Sequence, residues 1–425
     1  MMYYEIGSEN HKLTATDLQV GVTTALKKLG ERKKVLIIPP DFTRYHSRAG
    51  ELTSFVYQHY QNKVSDILPA LGTHVGMTDG EINKMFPGVP HQLFRVHDWR
   101  NEVFTVGKVP GSFVSEITNG SLDFDWPAQV NKLLWEGNHD LILSIGQVVP
   151  HEVIGMANYN KNIFVGTGGS EGINKSHFVG AVYGMENLMG KADNPVRKLL
   201  NYASDNFTNQ LPIVYMHTVV GRDAELGKLV TRGLFIGDDY SVFTKAAELS
   251  LKVNFTMLDK PLKKVVVYLD PSEFKSTWLG NKSIYRTRMA MADGGELIVL
   301  APALKEFGED KEIDRLIRKY GYRGTPQTLK SLKENPELEA NLSAAAHLIH
   351  GSSEGRFSIT YCPGHLSREE IKSVNFNYAD LKEMMKRYNP EILNDGYNTM
   401  PDGEEIFYIS NPAIGLWACK DRFKN

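Results

Sequence analysis

The chain has few of the features that mark specialised protein classes. Only two of its 425 residues are cysteine, Cys362 and Cys419, so neither a disulfide framework nor a cysteine metal cluster is expected. No apolar run is long enough to cross a bilayer, and a formal net charge of -2 gives no reason to expect a polyanionic partner. We therefore expect no membrane and no nucleic-acid partner. The opening MMYYEIGSEN has no signal-peptide pattern, which favours a cytoplasmic enzyme.

Familiar nucleotide and metal motifs are missing as well. No GxGxxG follows the first apolar strand, so the usual dinucleotide fingerprint is absent. There is no HExxH, and no histidines pair with carboxylates at ligand spacing, which gives little support to a hydrolytic zinc site. The chain offers instead separate histidines, a lysine between two of them, and a glycine-rich turn.

Short apolar runs alternate with helical patterns, which predicts an α/β fold built as two domains. The charged, proline-bearing residues 259–264 are the best linker. We expect an N-terminal α/β domain over 1–258, a C-terminal α/β domain over 262–403, and a tail over 404–425 that packs back on the first domain. Predicted strands cover 35–38, 64–71, 139–146, 211–219, 265–269, 296–300 and 357–362; predicted helices cover 18–29, 52–62, 173–189, 241–252, 284–292, 311–320 and 326–346.

Ionisable side chains follow three of the predicted strands. Asp41 and Arg44 come after the first strand, His74 after the second, and His151 after the strand at 139–146. The carboxyl ends of strands in α/β sheets are where ligands bind, so this recurrence favours a shared site. Each residue alone also has a structural explanation: a helix cap with a surface ion pair for the first two, and a structural role for a lone histidine.

Residues 147–177 hold the densest set of candidate functional groups. His151, Lys161, His177 and the turn Gly166-Thr167-Gly168-Gly169 fall within one segment. Paired histidines can serve as acid and base, a pocket lysine can hold a cofactor covalently, and a neutral histidine can bind a metal. Glycines before a helix suit a phosphate. A solvated loop lysine and an ordinary tight turn remain the simpler alternatives for two of these features.

The ordered set of these residues resembles the nickel-pincer nucleotide-dependent lactate racemase family, which comprises 2-hydroxy-acid racemases and epimerases. The resemblance rests on five pieces, and the spacing from His151 through Lys161 to His177 is similar to the family's own. The pieces are Asp41-Phe42-Thr43-Arg44, Gly72-Thr73-His74, Pro150-His151-Glu152, Lys161 and Ile173-Asn174-Lys175-Ser176-His177.

The resemblance implies an isomerase with two α/β domains and a cofactor site in the cleft between them. The cofactor would be the pyridinium-3,5-bisthiocarboxylic acid mononucleotide nickel complex, made by dedicated cofactor-biosynthesis proteins and joined to Lys161 as a thioamide. His177 would bind the nickel, and His74 and His151 would be the two acid/base groups for a small-molecule 2-hydroxy acid whose α-carbon gives hydride to the cofactor. Further contacts are implied for the cofactor at Asp41, Thr43, Gly166, Thr167, Gly168 and Gly169, and for the substrate at Arg44, Lys282 and Asn281.

Two departures from the family bear on the substrate. Small residues usually precede the lysine, but here the run is Met156-Ala157-Asn158-Tyr159-Asn160. A Gln-x-x-Lys run of the second domain is replaced by Leu279-Gly280-Asn281-Lys282. Because buried amides need hydrogen-bonding partners, a wall with more amides favours a polyhydroxylated substrate.

The favoured reaction is therefore 2-epimerisation of a sugar acid such as gluconate. The first alternative is racemisation of lactate or another short-chain 2-hydroxy acid. A divalent-metal-dependent sugar isomerase using the same histidines is a further alternative, and a non-enzymatic ligand-binding protein is the last. Nothing in the sequence sets the oligomeric state.

Overall fold

The structure is a computed structural model that describes residues 1–223, 226, 228–413 and 415–423, without the side chain of Phe423. It divides into two compact units. The first comprises Met1–Tyr183 and Asn187–Asn254, and the second comprises Gly184–Glu186 and Phe255–Asn425. Both units combine helices with a mostly parallel sheet, so the predicted α/β class is confirmed.

The strands of the first unit are β1 (Met2–Gly7), β2 (Val35–Ile38), β3 (Val64–Ile67), β4 (Val103–Val109), β5 (Trp126–Asn131), β6 (Leu141–Gln147), β7 (Pro150–His151), β8 (Gly155–Met156), β9 (Ile213–Asp223) and β10 (Lys228–Gly237). Its helices are α1 (Ala15–Leu29), α2 (Ala49–Tyr60), α3 (Asp79–Met85), α4 (Gly111–Ile117), α5 (Lys132–Glu136), α6 (Ser170–Tyr183), α7 (Met185–Leu188), which crosses the unit boundary, α8 (Pro195–Phe207) and α9 (Tyr240–Asn254). Short 3-10 turns cover Phe42–Ser47, Gln61–Lys63 and His91–Leu93, and a π-helical turn covers Asn162–Gly166.

Six strands form the main sheet of the first unit in the order β1-β10-β9-β6-β2-β3. Strands β9, β6, β2 and β3 are parallel, while β10 and β1 are added antiparallel. The carboxyl ends of β6, β2 and β3 therefore lie side by side at one edge of the sheet. The segments that follow these three strands are brought together there.

Alternating side chains of β2 explain why helices cover both faces of this sheet. Val35 and Ile37 pack with the buried residues of α1 and α2, whereas Leu36 and Ile38 pack with those of α8 and α9. An unbroken apolar run is the pattern of a parallel strand buried on both faces. The run predicted this strand with its observed bounds.

The strands of the second unit are β11 (Thr256–Leu258), β12 (Leu262–Tyr268), β13 (Met291–Ala301), β14 (Ser358–Pro363), β15 (Asn377–Tyr378), β16 (Gly396–Thr399), β17 (Glu405–Ile409) and β18 (Trp417–Cys419). Its helices are α10 (Thr277–Gly280), α11 (Lys282–Thr287), α12 (Lys311–Tyr320), α13 (Thr325–Glu334), α14 (Pro336–Glu339), α15 (Leu342–His350), α16 (Arg368–Ser373) and α17 (Leu381–Arg387), with a 3-10 turn at Lys420–Phe423.

The second sheet has the order β15-β14-β13-β12-β17-β16, parallel except for the edge strand β16. Strand β17 pairs with β12 in its interior, and β18 pairs with β11. The expectation that the tail 404–425 packs back on the first domain is therefore wrong for these strands. Its apolar residues Ile406 and Tyr408 fill the core of the second sheet instead. Ile414, Lys424 and Asn425 of this tail lie outside the described residues.

Two predicted helices of the second unit are shorter than expected. The run at 326–346 is divided into α13, α14 and α15, because Pro336 begins a new helix and Asn341 caps another. The predicted helix at 284–292 ends at Thr287, and strand β13 already begins at Met291. In the part of the chain that the structure describes, no helix is long and apolar enough to span a membrane.

Candidate active site

A pocket of about 210 Å³ opens at the carboxyl ends of β2, β3 and β6. Its lining brings together most of the first-unit residues singled out in the sequence, namely Asp41, Thr43, Arg44, His74, His151, Lys161, Gly166 and His177. All lining residues belong to the first unit. The recurrence of ionisable residues after successive strands thus reflects their convergence on one edge of the sheet.

Asp41 begins the turn that follows β2. Its side chain accepts a hydrogen bond from the backbone N–H of Thr43 at 3.1 Å and one from the Thr43 hydroxyl, so it caps the 3-10 turn Phe42–Ser47. Asp41 therefore has the capping role that the sequence raised as an alternative. The carboxylate also has a second contact, because its other oxygen lies 2.5 Å from Nδ1 of His74. Asp41 thus links the turn after β2 to the turn after β3.

The pair of Asp41 and His74 combines a buried carboxylate with an accessible imidazole. The side chains are 8% and 58% exposed, respectively. Burial acts to raise the pKa of Asp41, but the hydrogen bonds from His74 and Thr43 and the charge of Arg44 outweigh it and lower the pKa. An ionised Asp41 accepts a hydrogen bond from Nδ1–H of His74, so Nε2 of the neutral ring keeps an available lone pair. His74 is thereby oriented as a base.

His151 lies at the start of the segment that follows β6, in the short pairing of β7 with β8. Its Nδ1 accepts the backbone N–H of Val153 at 3.1 Å, which leaves the proton of the neutral ring on Nε2. Burial lowers the pKa of His151 well below its usual value; Glu152 opposes this, and the nearby cations, Lys161 foremost, add to it. His74 and His151 therefore present different atoms, a lone pair and an N–H.

Lys161 lies in the pocket wall, just before the π-helical turn Asn162–Gly166. Burial, reinforced by the positive charge of Arg44, lowers its pKa to about 8. Within the described residues its amine has no hydrogen bond and no carboxylate at ion-pair distance. A buried lysine in such surroundings is readily neutral and nucleophilic. The alternative of a solvated loop lysine is therefore excluded.

His177 lies in the second turn of α6, with its Nδ1 2.7 Å from the carbonyl oxygen of Ile173 one turn earlier. Nδ1 must donate its proton to that oxygen, so the lone pair of Nε2 is available to a ligand. Burial, together with the charge of Lys161, lowers the pKa of His177 to about 4. The ring is therefore neutral at physiological pH, as a metal ligand requires. Helix α6 begins three residues before the predicted 173, so His177 is farther from its start than expected.

Only Gly166 of the predicted phosphate-binding turn lines the pocket. The hydroxyl of Thr167 and its backbone N–H are bonded to Ile163 and Asn162. The glycines have packing reasons: a Cβ on Gly168 would meet the Phe164 carbonyl oxygen at 1.9 Å, and Gly169 lies against Gln129. The structure thus does not bring Thr167, Gly168 and Gly169 to the pocket.

His97 supports this turn from behind and was not predicted to do so. It is 2% exposed, and its Nε2 lies 2.9 Å from the carbonyl oxygen of Gly168. Its Nδ1 accepts a hydrogen bond from the side-chain amide of Asn131. Both ring nitrogens of His97 are therefore bonded inside the protein.

The two predicted substrate contacts of the second unit have separate surroundings. Asn281 is fully buried, accepts the hydroxyl of Tyr361 at 2.7 Å, and directs its amide nitrogen at His347. Its amide is therefore used inside the second unit, which corrects the expectation of a substrate contact. Lys282 is partly exposed, with its amine 5.9 Å from the ring centroid of Phe274.

Comparison with known proteins adds to this geometry. The sequence model of the lactate racemase N-terminal domain matches residues 13–189, which include every described pocket residue discussed above. This N-terminal part of the chain is therefore similar to the lactate racemase N-terminal domain, and the similarity supports an isomerase of the racemase type. No curated protein matches the chain.

Two solved structures extend the likeness to the whole chain. A crystal structure of a protein from Thermotoga maritima is 26% identical, with a TM-score of 0.78, and the match covers 98% of this chain and 100% of that one. The lactate racemase apoprotein from Thermoanaerobacterium thermosaccharolyticum is 20% identical, with a TM-score of 0.67, covering 97% of this chain and 89% of that one. At this identity the second likeness concerns the fold alone.

The donor set of the pocket fits a tethered nickel cofactor. Lys161 offers a poorly solvated amine, and His177 offers one oriented imidazole nitrogen. In the described ranges, no three histidine, cysteine, aspartate or glutamate side chains are grouped so that they could hold a metal ion. A metal at His177 would need its other ligands from a non-protein group, and a pincer supplies them.

Proposed function

We propose that this racemase-type enzyme is a 2-hydroxy-acid epimerase that uses a nickel-pincer nucleotide joined to Lys161, with a sugar acid such as gluconate as substrate. The observation that carries the proposal is the convergence of Lys161, His177, His151 and the Asp41–His74 pair on one pocket. Each of these side chains has a hydrogen-bonding pattern or a pKa that suits a different task.

The bound cofactor supplies a reversible hydride acceptor, and the remaining tasks belong to the chain itself. Lys161 would hold the cofactor, and Nε2 of His177 would bind the metal. Arg44 lines the pocket, and its guanidinium is suited to a carboxylate because two N–H groups match two oxygens. The positive charge of Arg44 makes the pocket attractive to an anionic substrate.

Inversion at a carbon that bears a hydroxyl group requires that the hydroxyl proton be removed and returned. His74, with its Nδ1 proton donated to Asp41, can take that proton at Nε2. His151, with its Nε2–H, can donate a hydrogen bond to the same oxygen. Once the configuration at the carbon has changed, Nε2 of His74 returns the proton to that oxygen, so one proton leaves the substrate and comes back.

Amide side chains in the pocket wall support a polyhydroxylated substrate. Asn160 does not contribute, because its amide is bonded to Asn201, Ser204 and Arg197 inside the unit. Gln147, Asn158 and Asn162 do line the pocket. The amide oxygen of Gln147 and the amide nitrogen of Asn158 are buried with no hydrogen-bond partner among the described residues. Hydroxyl groups of a sugar acid are suited to both.

The cofactor assignment is tested on protein co-expressed with the cofactor-biosynthesis proteins and, in parallel, without them. We expect the co-expressed protein to carry a mass adduct that maps to Lys161, with stoichiometric nickel. An unmodified mass, under conditions that load a control racemase, would overturn the assignment and favour the metal-dependent sugar isomerase.

The substrate is tested with the loaded enzyme by following the C2 epimers of gluconate and of lactate by NMR. Gln147→Met is expected to lower kcat/KM for gluconate about tenfold or more, because a hydroxyl partner is lost. Its effect on any lactate racemisation is expected to be small. Faster turnover of lactate than of gluconate by the unaltered enzyme would favour the short-chain racemase.

A further inference from the structure

The segment before Lys161 has an unusual backbone conformation. Gly155, Asn158 and Tyr159 have φ values of 74°, 69° and 60°. Glycine tolerates the left-handed region, and asparagine visits it, but an aromatic residue rarely adopts it. Such a conformation persists only where the surrounding structure holds it in place. We call residues 154–161 the tether segment.

One face of helix α8 holds this segment along its length. The face consists of the N-cap residue Asn194 followed by Arg197, Asn201 and Ser204, whose spacing of three and four residues places them on one side of the helix. Asn194 donates to the carbonyl oxygen of Ile154 at 3.0 Å, and Asn201 and Ser204 both accept from the amide of Asn160.

Arg197 makes the central contacts. Its guanidinium donates to the carbonyl oxygens of Met156, at 2.7 Å, and Asn158, at 3.3 Å, and to the side-chain oxygen of Asn160. It lies 4.2 Å from the ring centroid of Phe243. The guanidinium group thus binds every second residue of the tether segment from Met156 to Asn160.

The surroundings of Arg197 indicate that its role is to bind the tether segment. The side chain is 0% exposed, and within the described residues it has no carboxylate at ion-pair distance. Burial lowers the pKa of Arg197 to about 10. A buried cation without a counter-ion is costly, so an apolar residue would suit a merely space-filling role better. Arg232, by contrast, is a buried arginine paired with Asp223.

We propose that Arg197 is a positioning residue for Lys161: it holds the tether segment in its strained conformation and so presents the lysine amine to the pocket. What the amine is for rests on the proposed function, but its presentation does not. Arg197 also adds positive charge near Lys161, which favours the neutral amine.

The test is pH-dependent acetylation of Lys161 by an N-hydroxysuccinimide acetate ester in the cofactor-free protein, quantified by peptide mass. Arg197→Met removes both the positive charge and the planar guanidinium group. Arg197→Lys keeps the charge but lacks the guanidinium group. Arg232→Met is the matched control. We expect a midpoint near pH 8 in the unaltered protein. For Arg197→Met we expect a higher midpoint, and therefore slower labelling at pH 8, because the neutral fraction of the amine falls.

Hydrogen exchange of the amides in residues 156–161 is the second readout. Both Arg197 variants are expected to exchange faster there, whereas Arg232→Met is expected to lose stability without a change in the Lys161 midpoint. If Arg197→Met does not fold, Arg197→Lys decides the matter through exchange and labelling rate. Unchanged labelling and exchange in a folded Arg197 variant would overturn the proposal.

Failure of the proposed function would be recognised separately. In that case the Arg197 variants would still alter Lys161 labelling, but co-expression with the cofactor-biosynthesis proteins would add no mass to the unaltered chain. If labelling is unchanged and the adduct still forms normally in Arg197→Lys, the positioning role is wrong and the cofactor assignment stands.

Discussion

His177 in the first unit is a partly buried imidazole and His347 in the second is a buried one, and burial lowers the pKa of both strongly, to about 4 and about 3. The two rings differ in the hydrogen bonds that their nitrogens make. Nδ1 of His347 lies 2.8 Å from the hydroxyl of Tyr285 and Nε2 lies 3.0 Å from that of Tyr322, so the ring is bonded on both sides. Among the described residues only Nδ1 of His177 has a hydrogen-bond partner, and its ring lines a pocket together with Lys161.

A strongly lowered histidine pKa is therefore not by itself the mark of a functional site. Burial produces the shift in both units. What distinguishes His177 is an oriented nitrogen without a protein partner among the described residues, beside a nucleophilic amine. A ring with both nitrogens bonded is a structural element that stabilises a core.

The largest effect is expected at the lysine beside His177. Lys161→Ala removes the amine that carries the cofactor, so the chain should show no mass adduct after co-expression and turnover should fall to background. Lys175→Ala is the matched control on α6, because Lys175 pairs with Glu171 instead. An adduct that persists in Lys161→Ala would contradict the assignment.

The two histidines can be compared directly by nickel content. His177→Ala is expected to keep the adduct but to lose nickel on dialysis, because the protein ligand is gone. His347→Phe is expected to retain stoichiometric nickel. Equal nickel retention in the two variants would remove the distinction between the rings.

The acid/base pair should give the next largest effect. His74→Asn and His151→Asn are each expected to lower kcat about 10²–10⁴-fold with the adduct and nickel retained. Asp41→Asn should lower kcat by a smaller factor, about 10–100-fold, because it alters only the partner of His74. Near-normal kcat in either histidine variant would contradict the two-histidine scheme.

The smallest effect concerns pH and stability. The folded-state pKa of His347 is about 3 and its ordinary value is 6.5, so between these values the unfolded chain binds the additional proton. Stability is therefore full above pH 6.5 and falls as the pH drops towards 3, by about 1.4 kcal/mol per pH unit for each such ring.

His347→Phe is expected to flatten this dependence, measured as the thermal midpoint against pH. At pH 7 it should cost about 1–3 kcal/mol, because the hydroxyls of Tyr285 and Tyr322 lose a partner. An unchanged pH slope would show that other buried histidines dominate it.

The sequence predicted the parts of the site that depend on strand order. Three apolar runs, each followed by ionisable residues, were enough to place Asp41, His74 and His151 at one sheet edge. Strand ends are marked in a sequence because the apolar pattern stops there. Lys161 and His177 followed from the resemblance, since a lone lysine carries no pattern.

Other residues could not be predicted because their partners are distant in the chain. Arg197 sits on an amphipathic helix, where an arginine ordinarily faces solvent, and only its contacts with residues 156–160 show that it is buried. Asn281 was predicted to contact the substrate, but its side chain accepts a hydrogen bond from Tyr361, which lies eighty positions later in the chain. Strand β17 was misplaced because an apolar strand does not indicate which sheet it joins.

The partner that orients His177 is a main-chain carbonyl of its own helix, whereas the partner that orients His74 is the side chain of Asp41. A carbonyl is present whatever amino acid occupies position 173, so most single substitutions there leave the orientation of the His177 ring intact. The carboxylate of Asp41 can be lost or exchanged by one codon change. A mutation can therefore remove the partner that orients His74 in one step, whereas the orientation of His177 depends on no single side chain.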